Sequence, residues 1–304
     1  MNLLVTLKKR LQELVPTLEL REQEPMSAHT SFKIGGPVSL MAFPKNQTEA
    51  VIAAQAAAEE GASTFFLGKG SNLLVSDQGF AGFIIKTSGL DRVTEVNGHL
   101  CAESGIPLSR LANAALNRSL TGLEFAHGIP GSLGGAVVMN AGAYGGEMVQ
   151  VLHSVTFLNR SGEIETVPAE TCQFSYRHSI FSDRPECMIL EAKLALAPGN
   201  AAEIKSKMDD LAVKRRAKQP LEYPSGGSTF KRPKGHFAAA LIEQCGLKGL
   251  GIGGAQVSEK HAGFIINRGG ATCTDVVALM ERVRCEVFRQ TGVVLEPELK
   301  QIGG

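Results

Sequence analysis

Residues 122–147, GLEFAHGIPGSLGGAVVMNAGAYGGE, place eight glycines among 26 positions, with little charge and an apolar AVVM segment between two small-residue loops. Glycine weakens regular structure through its conformational entropy. This density therefore belongs where the main chain needs positive φ or must approach another group closely. Bare N–H groups in a tight glycine turn also form an anion-binding concavity, which makes a phosphate-bearing cofactor the natural occupant. A long flexible surface loop is the competing reading. Loops of this length in compact domains are functional or disordered, and AVVMNA is too apolar for disorder.

The 304 residues suffice for one large or two to three small domains with real cores. Lys and Arg (31) balance Asp and Glu (30) and are scattered, so charge makes no case for nucleic acid or an anionic membrane. The six cysteines (Cys101, Cys172, Cys187, Cys245, Cys273 and Cys285) form no CxxC and no zinc spacing, and they read as reduced thiols of a cytosolic protein. The seven histidines form no pair at ligand spacing, and no metal is expected. At the N-terminus, Leu4, Leu7, Leu11 and Leu14 recur at helical spacing opposite Lys8, Lys9 and Arg10. That is an amphipathic helix ended near Pro16, without the apolar core or cleavage site of a signal peptide. No run approaches 18 apolar residues, so no membrane span is expected.

Along the chain, residues 20–37 read as a polar link, 40–43 as a strand, and Asn46 with Glu49 as a capping box opening an alanine-rich helix that ends at Gly61. Strand, glycine loop 68–72 and strand follow, giving a small βαββ unit in the first ninety residues. Asn97-Gly98 marks a type I′ hairpin, and Pro107 opens a helix over 108–117. Past the glycine run, strands at 151–158, 163–167 and 188–196 make the middle α+β with antiparallel pairing. Asn200 caps a helix reaching Lys218; QPLEYPSGGSTFKRP then marks a domain boundary. Helices over 237–244 and 274–291 and a strand at 263–267 complete the chain.

GLGIGG at 249–254 matches GxGxxG, with Asp275 about twenty residues on, but a helix precedes it and a strand follows, the reverse of a dinucleotide fingerprint. GKGSN at 68–72 is not a Walker A motif, since Gly70 stands where Ser or Thr is required. It can still offer N–H groups and the Ser71 and Asn72 side chains to a pyrophosphate, or be a plain turn. Two glycine loops, 68–72 and 128–135, suit a dinucleotide outside a Rossmann fold. Taken alone, Ser228 in PSGGSTF is a loop serine, Arg177 in SYRHS a solvated arginine or a carboxylate clamp, and Glu298 in LEPELK an exposed strand-edge carboxylate.

Several blocks in this order resemble the FAD-dependent UDP-N-acetylenolpyruvoylglucosamine reductases: HTSFKIGGP (29–37), LGKGSNLLVSDQGFAGFII (67–85), the run 122–147, YRHSIF (176–181), PSGGSTFKRP (224–233), LKGLGIGGAQVSEKHAGFIIN (247–267) and VVLEPELKQIG (293–303). The glycine loops alone would also fit the wider flavoprotein superfamily. The resemblance implies an α+β fold: a two-part FAD-binding domain of the vanillyl-alcohol-oxidase/PCMH type and a C-terminal α+β substrate domain. Its boundaries would be 1–28 for the N-terminal helix and link, 29–199 for the FAD-binding domain (subdomains about 29–92 and 93–199) and 200–304 for the substrate domain.

The resemblance also implies noncovalent FAD, with NADPH as co-substrate and a nucleotide sugar as substrate, in a cytoplasmic monomer of peptidoglycan precursor synthesis. Hydride would pass from flavin N5 to the enolpyruvyl β-carbon and a proton from Ser228 to C2. Arg177 and Glu298 would stabilise the enolate-like charge, Glu298 in one reading as a protonated acid. FAD contacts would come from Gly68, Lys69, Gly70, Ser71 and Asn72, and from Gly128, Ile129, Pro130, Gly131, Ser132, Gly134, Gly135 and Ala136. Substrate contacts would come from Tyr176, Arg177, Lys218, Ser228, Lys248 and Gln256. Lys231 is the nearest charged neighbour of Ser228 in sequence. Lys214, Arg215, Arg216 and Lys218 either serve the UDP diphosphate or complement a helix dipole. His127 and Gly251 depart from the family pattern, a small residue and an arginine being expected there. The short spacing from YRHS to PSGGS suggests the form lacking an added substrate-clamping loop.

Overall fold

The computed structural model describes residues 3–304; Met1 and Asn2, the first residues of the expected N-terminal helix and link, lie outside the described residues. In chain order the elements are α1 (Leu3–Leu14), β1 (Glu19–Pro25), β2 (Pro37–Phe43), α2 (Gln47–Glu59), β3 (Thr64–Leu67), β4 (Leu73–Val75), β5 (Phe80–Lys86), β6 (Val93–Val96), β7 (His99–Glu103), α3 (Leu108–Leu116), β8 (Leu120–Thr121) and α4 (Leu133–Val138). Then come β9 (Gly142–Ala143), β10 (Gly146–Glu147), β11 (Leu152–Leu158), β12 (Ile164–Pro168), β13 (Met188–Leu194), β14 (Ala197–Pro198), α5 (Ala201–Lys218), α6 (Ala238–Gln244), β15 (Gly251–Ile252), β16 (Ala255–Val257), β17 (Ile265–Asn267), α7 (Cys273–Thr291) and β18 (Lys300–Ile302). The chain divides into two units. One comprises a first segment ending at Glu22 with Leu40–Lys69 and Gly82–Lys214; the other comprises Gln23–Ser39, Gly70–Ala81 and Arg215–Gly304.

In the first unit, α2 forms because Asn46 accepts the Glu49 N–H at 3.0 Å and an alanine run of high helix propensity follows. Its face of Ala50, Ala53, Ala54 and Ala57 packs with Leu7 and Leu11 of α1 and with Leu40, Phe83 and Ile85 of the sheet ordered β1-β2-β5-β3. Small alanines let helix and sheet approach closely. Within that sheet β3 and β5 are parallel, with Leu67 opposite Lys86. A second sheet, β12-β11-β13-β7-β6, is antiparallel; its apolar face, with Ala102, Val155, Phe157 and Ala192, is buried with Leu111 of α3 and Val137 of α4. Asn97 (φ 52) and Gly98 (φ 74) turn the β6–β7 hairpin through the two positive-φ positions that type I′ demands.

In the second unit, α7 buries Val276, Leu279, Val283 and Val287 against Ile265, Val257 and Leu295. Its start is capped twice. Thr272 and Asp275 form a capping box, and Asp77 accepts the N–H groups of Cys273 (2.7 Å) and Thr274 (2.9 Å). No helix of the described residues is long and apolar enough to cross a membrane.

Three local expectations need correction. Residues 19–25 are an edge strand instead of a link: charged side chains cover its exposed positions, as edge strands require, and erase the apolar alternation that would have revealed it. Strand β4 is not part of a βαββ sheet; it pairs in parallel with β18, Leu73 opposite Lys300. At α2 only half the capping box exists, because Glu49 accepts the N–H of Lys45 at 2.8 Å.

Burial alone would raise the Asp77 pKa, yet the donated N–H groups of Thr274 and Cys273 hold it below the ordinary carboxylate value. A lowered folded pKa gives stability that is present above about pH 4 and lost as pH falls through the folded value. Asp77→Ala should therefore destabilise the protein by about 1 kcal/mol at pH 7, with the gap to wild type closing in denaturation curves below pH 4.

Candidate functional site

In the first unit the glycine run is stitched to the chain entering α3. Leu133 and Gly134 donate to the carbonyls of Ile106 (3.0 Å) and Ser104 (2.7 Å), and Leu108 donates to Gly131 O (3.0 Å). That closeness explains Gly134, where a Cβ would lie 3.0 Å from Ser104 Cβ. Gly68 ends β3 pressed on the second loop, since a Cβ there would collide with Ser132 Oγ. Gly135 differs: it is exposed, and its Cβ would touch only Ser132 Oγ at 3.8 Å. Protein packing does not require glycine at 135. Its backbone is open to close approach by another group.

Around this cradle polar groups are left bare. Ser104 Oγ and His127 Nδ1 are buried without a hydrogen-bond partner, an arrangement that costs free energy unless something else supplies the bond. Lys69 and Lys86 sit beside each other; burial first, and Lys69 second, push the Lys86 ammonium down to about 8. Open backbone, orphaned polar atoms and uncompensated cations fit a phosphate-bearing cofactor such as FAD. Gly128, Ile129 and Pro130 form the turn leading in, with Ile129 N–H bonded to Ala126 O at 3.0 Å.

The rest of the first loop belongs to the second unit. Gly70 takes φ 63 with its backbone against that of His29, and Ser31 N–H donates to Gly70 O at 3.2 Å. Ser71 follows, half-buried. Asn72 directs its amide Nδ2 to Glu298 O at 2.9 Å, while its own carbonyl accepts the Lys300 N–H at 3.0 Å. The side chain expected on a pyrophosphate thus holds the main chain of an expected catalytic residue.

Tyr176 and Arg177 are the two central residues of a tight turn closed by Ser175 N–H to His178 O (3.1 Å) and His178 N–H to Ser175 O (3.2 Å). Arg177 adopts φ 56, a left-handed conformation uncommon for a residue with a Cβ. Its guanidinium lies 5.2 Å from the exposed Tyr176 ring, and Nη1 approaches Gly142 O at 3.5 Å. The turn is clamped on both flanks. Asn140 donates through Nδ2 to Ser175 O (3.1 Å) and Glu147 (2.9 Å) and accepts from Val149 N–H (3.0 Å), while Ser179 Oγ donates to Val138 O (2.8 Å).

In the second unit, residues 229–231 lie antiparallel to 296–298: Glu298 N–H donates to Thr229 O and Lys231 N–H to Glu296 O, both at 2.8 Å. Buried Thr229 is also tied to β17's side, donating its N–H to Gly263 O (2.8 Å) and accepting the Ile265 N–H through Oγ1 (3.0 Å). Thr229 therefore stands opposite Glu298, and Ser228 immediately precedes the paired segment. Lys231 turns its ammonium to Glu296 at 3.5 Å. Lys218 ends α5; burial depresses the His261 pKa, Lys248 and Lys218 add to that, and Glu243 opposes it. Lys248 is also paired with Glu243 at 2.6 Å. Gln256 is braced by Gly249 O (3.0 Å) and Arg268 (3.0 Å). The GxGxxG match is a hairpin turn, Ile252 opposite Ala255, and Asp275 accepts the Gly254 N–H at 3.2 Å.

Sequence reasoning missed Asn140, Thr229, Ser104 and Lys86. A polar residue inside a glycine-rich run hints at Asn140; the others carry no local signal.

A family model described as an FAD binding domain matches residues 38–168, and one described as UDP-N-acetylenolpyruvoylglucosamine reductase, C-terminal domain, matches residues 219–302. Curated proteins named UDP-N-acetylenolpyruvoylglucosamine reductase are similar along the whole chain. The one from Caldanaerobacter subterraneus subsp. tengcongensis is 48% identical over 97% of both chains, and the one from Latilactobacillus sakei 46% identical over 94% of both. Among solved structures, the UDP-N-acetylenolpyruvylglucosamine reductase of Thermus caldophilus matches with a TM-score of 0.80 and 31% identity, covering 94% of this chain and 99% of its own.

Asn140→Ala would strand the Ser175 carbonyl and the Val149 N–H. A loss of about 1–3 kcal/mol is expected in thermal denaturation, and Asn140→Asp should recover less than the part due to Val149, because its carboxylate would face Glu147 and the Ser175 carbonyl.

Proposed function

Because the chain belongs to the UDP-N-acetylenolpyruvoylglucosamine reductase family, we propose that it reduces UDP-N-acetylglucosamine enolpyruvate to UDP-N-acetylmuramate, with NADPH as donor and noncovalent FAD as carrier. It would do so as a cytoplasmic monomer in peptidoglycan precursor synthesis. The observation that supports the reading is the paired main chain in which Thr229 lies opposite Glu298, with Ser228 the residue next to Thr229. FAD, which Gly68–Asn72 and Gly128–Ala136 would hold, would supply the hydride chemistry between NADPH and the enolpyruvyl β-carbon.

The chain's own residues handle the charge and the proton. Addition of hydride leaves carbanionic charge at C2 conjugated with the carboxylate, and Arg177 holds that carboxylate with its planar fork of donors. The clamped turn supports this role, since a cation fixed in advance needs no reorganisation when charge appears. Ser228 delivers its hydroxyl proton to C2 and regains one from solvent. A hydroxyl is a weak acid, so it acts on a strongly basic carbon. Glu298 shares the stabilisation as a hydrogen-bonding acid. Lys231 is paired with Glu296 and is given no part in activating the serine. Tyr176, Gln256, Lys218 and Lys248 bind the nucleotide sugar.

Ser228→Ala should leave reduction of the bound flavin by NADPH within about twofold of wild type and slow its reoxidation by the enolpyruvyl substrate by about 10²–10⁴. Stopped-flow absorbance resolves the two half-reactions, and equal loss in both would sink the proton-donor role. Arg177→Lys keeps the charge and loses the fork. A fall in turnover of about tenfold or more is expected, and near-wild-type turnover would argue against carboxylate clamping.

A further inference from the structure

Lys86 closes β5 directly opposite Leu67, the last residue of the parallel strand β3. Lys69 lies two residues past that strand end. Both lysines therefore lie at the same end of the paired strands β3 and β5, Lys69 next to Gly68, which meets Ser132 of the second glycine loop. Neither is paired with a carboxylate among the described residues; the only charge acting on Lys86 is that of Lys69, and it is repulsive. Several arginines of this unit do have partners: Arg10 is held by Glu59 and Glu60, Arg92 by Glu103 and Arg110 by Asp91. Two adjacent lysines, one largely withdrawn from water and left uncompensated, are costly in the unliganded protein, because burial and like charge both oppose protonation. An anion carrying two negative charges between them reverses both penalties.

We propose that Lys86 and Lys69 form a two-cation seat for an organic diphosphate, and that the diphosphate is the pyrophosphate of the FAD cofactor. This rests on the FAD reading above and adds Lys86 to it. The substrate and NADPH also carry diphosphates. The flavin is favoured because the seat adjoins both glycine segments and because residues 38–168, which contain both lysines, match FAD-binding domains. The lysines supply the charge that a pyrophosphate takes.

The test measures FAD affinity of the full chain by dilution of the holoenzyme with flavin fluorescence as readout, for wild type, Lys86→Met, Lys86→Arg and Lys69→Met. Lys86→Met should weaken FAD binding about 10- to 100-fold and flatten its dependence on salt, while Lys86→Arg stays within about threefold. Riboflavin, which lacks phosphate, should bind wild type and Lys86→Met alike, and inorganic pyrophosphate should compete with FAD on wild type only. With FAD saturating, the KM values for NADPH and for the nucleotide sugar should be unchanged in Lys86→Met. Equal FAD affinity in wild type and Lys86→Met would overturn the proposal. So would a rise in either KM with flavin affinity intact, which would assign the seat to that co-substrate. A wild-type protein that takes up no FAD would instead overturn the functional reading itself.

Discussion

The close approach of Gly68 to Ser132 is the contact on which the cofactor cradle depends. Two segments more than sixty residues apart meet there with Ser132 Oγ in the space that a Cβ at position 68 would take, so a side chain at 68 would displace the serine hydroxyl. From that contact the rest of the cradle follows. Ser132 precedes α4, whose first residues bond back to Ser104 and Ile106, and Lys69 is carried to the edge where β5 ends in Lys86. Glycine here is not a source of flexibility. It is a way of bringing main chain within reach of main chain, and then of a ligand.

The second unit uses a different device. No glycine contact fixes Ser228 and Glu298; a ladder of main-chain hydrogen bonds does, running from Gly263 through Thr229 to Glu298 and on, through the Asn72 side chain, to the segment before β4. Main-chain pairing sets the spacing of two residues without depending on the identity of either, so such a site tolerates variation around its reacting groups. Asn72 shows the same economy. It stands in the glycine loop, yet its amide nitrogen steadies the segment bearing Glu298.

Arg177 makes a third case. An arginine at φ 56 is strained, and the strain persists because Asn140 and Ser179 over-determine the turn. Asn140 itself sits at φ 43, a conformation that asparagine accepts more readily than most residues. Two left-handed residues, linked through Ser175 O, thus trade local backbone energy for a fixed guanidinium.

Much was legible in the sequence because it was written locally. The Asn46 cap, the Asn97-Gly98 hairpin, the alanine face of α2 and the dismissal of GLGIGG each depend on residues within a few positions of one another, and local sterics decide them. The matched blocks likewise carried the α+β fold and the FAD-binding domain, since their order and spacing are properties of the chain itself. The pairing of β4 with β18, the edge strand hidden under charged side chains, the turn of Lys231 to Glu296 and the isolation of Lys86 beside Lys69 were decided only by tertiary structure. Each depends on which distant segment arrives alongside. A lysine at the end of a strand reads the same whether a carboxylate or another lysine comes to face it; only the folded chain, by bringing β3 and β5 side by side, left this one without a counter-ion.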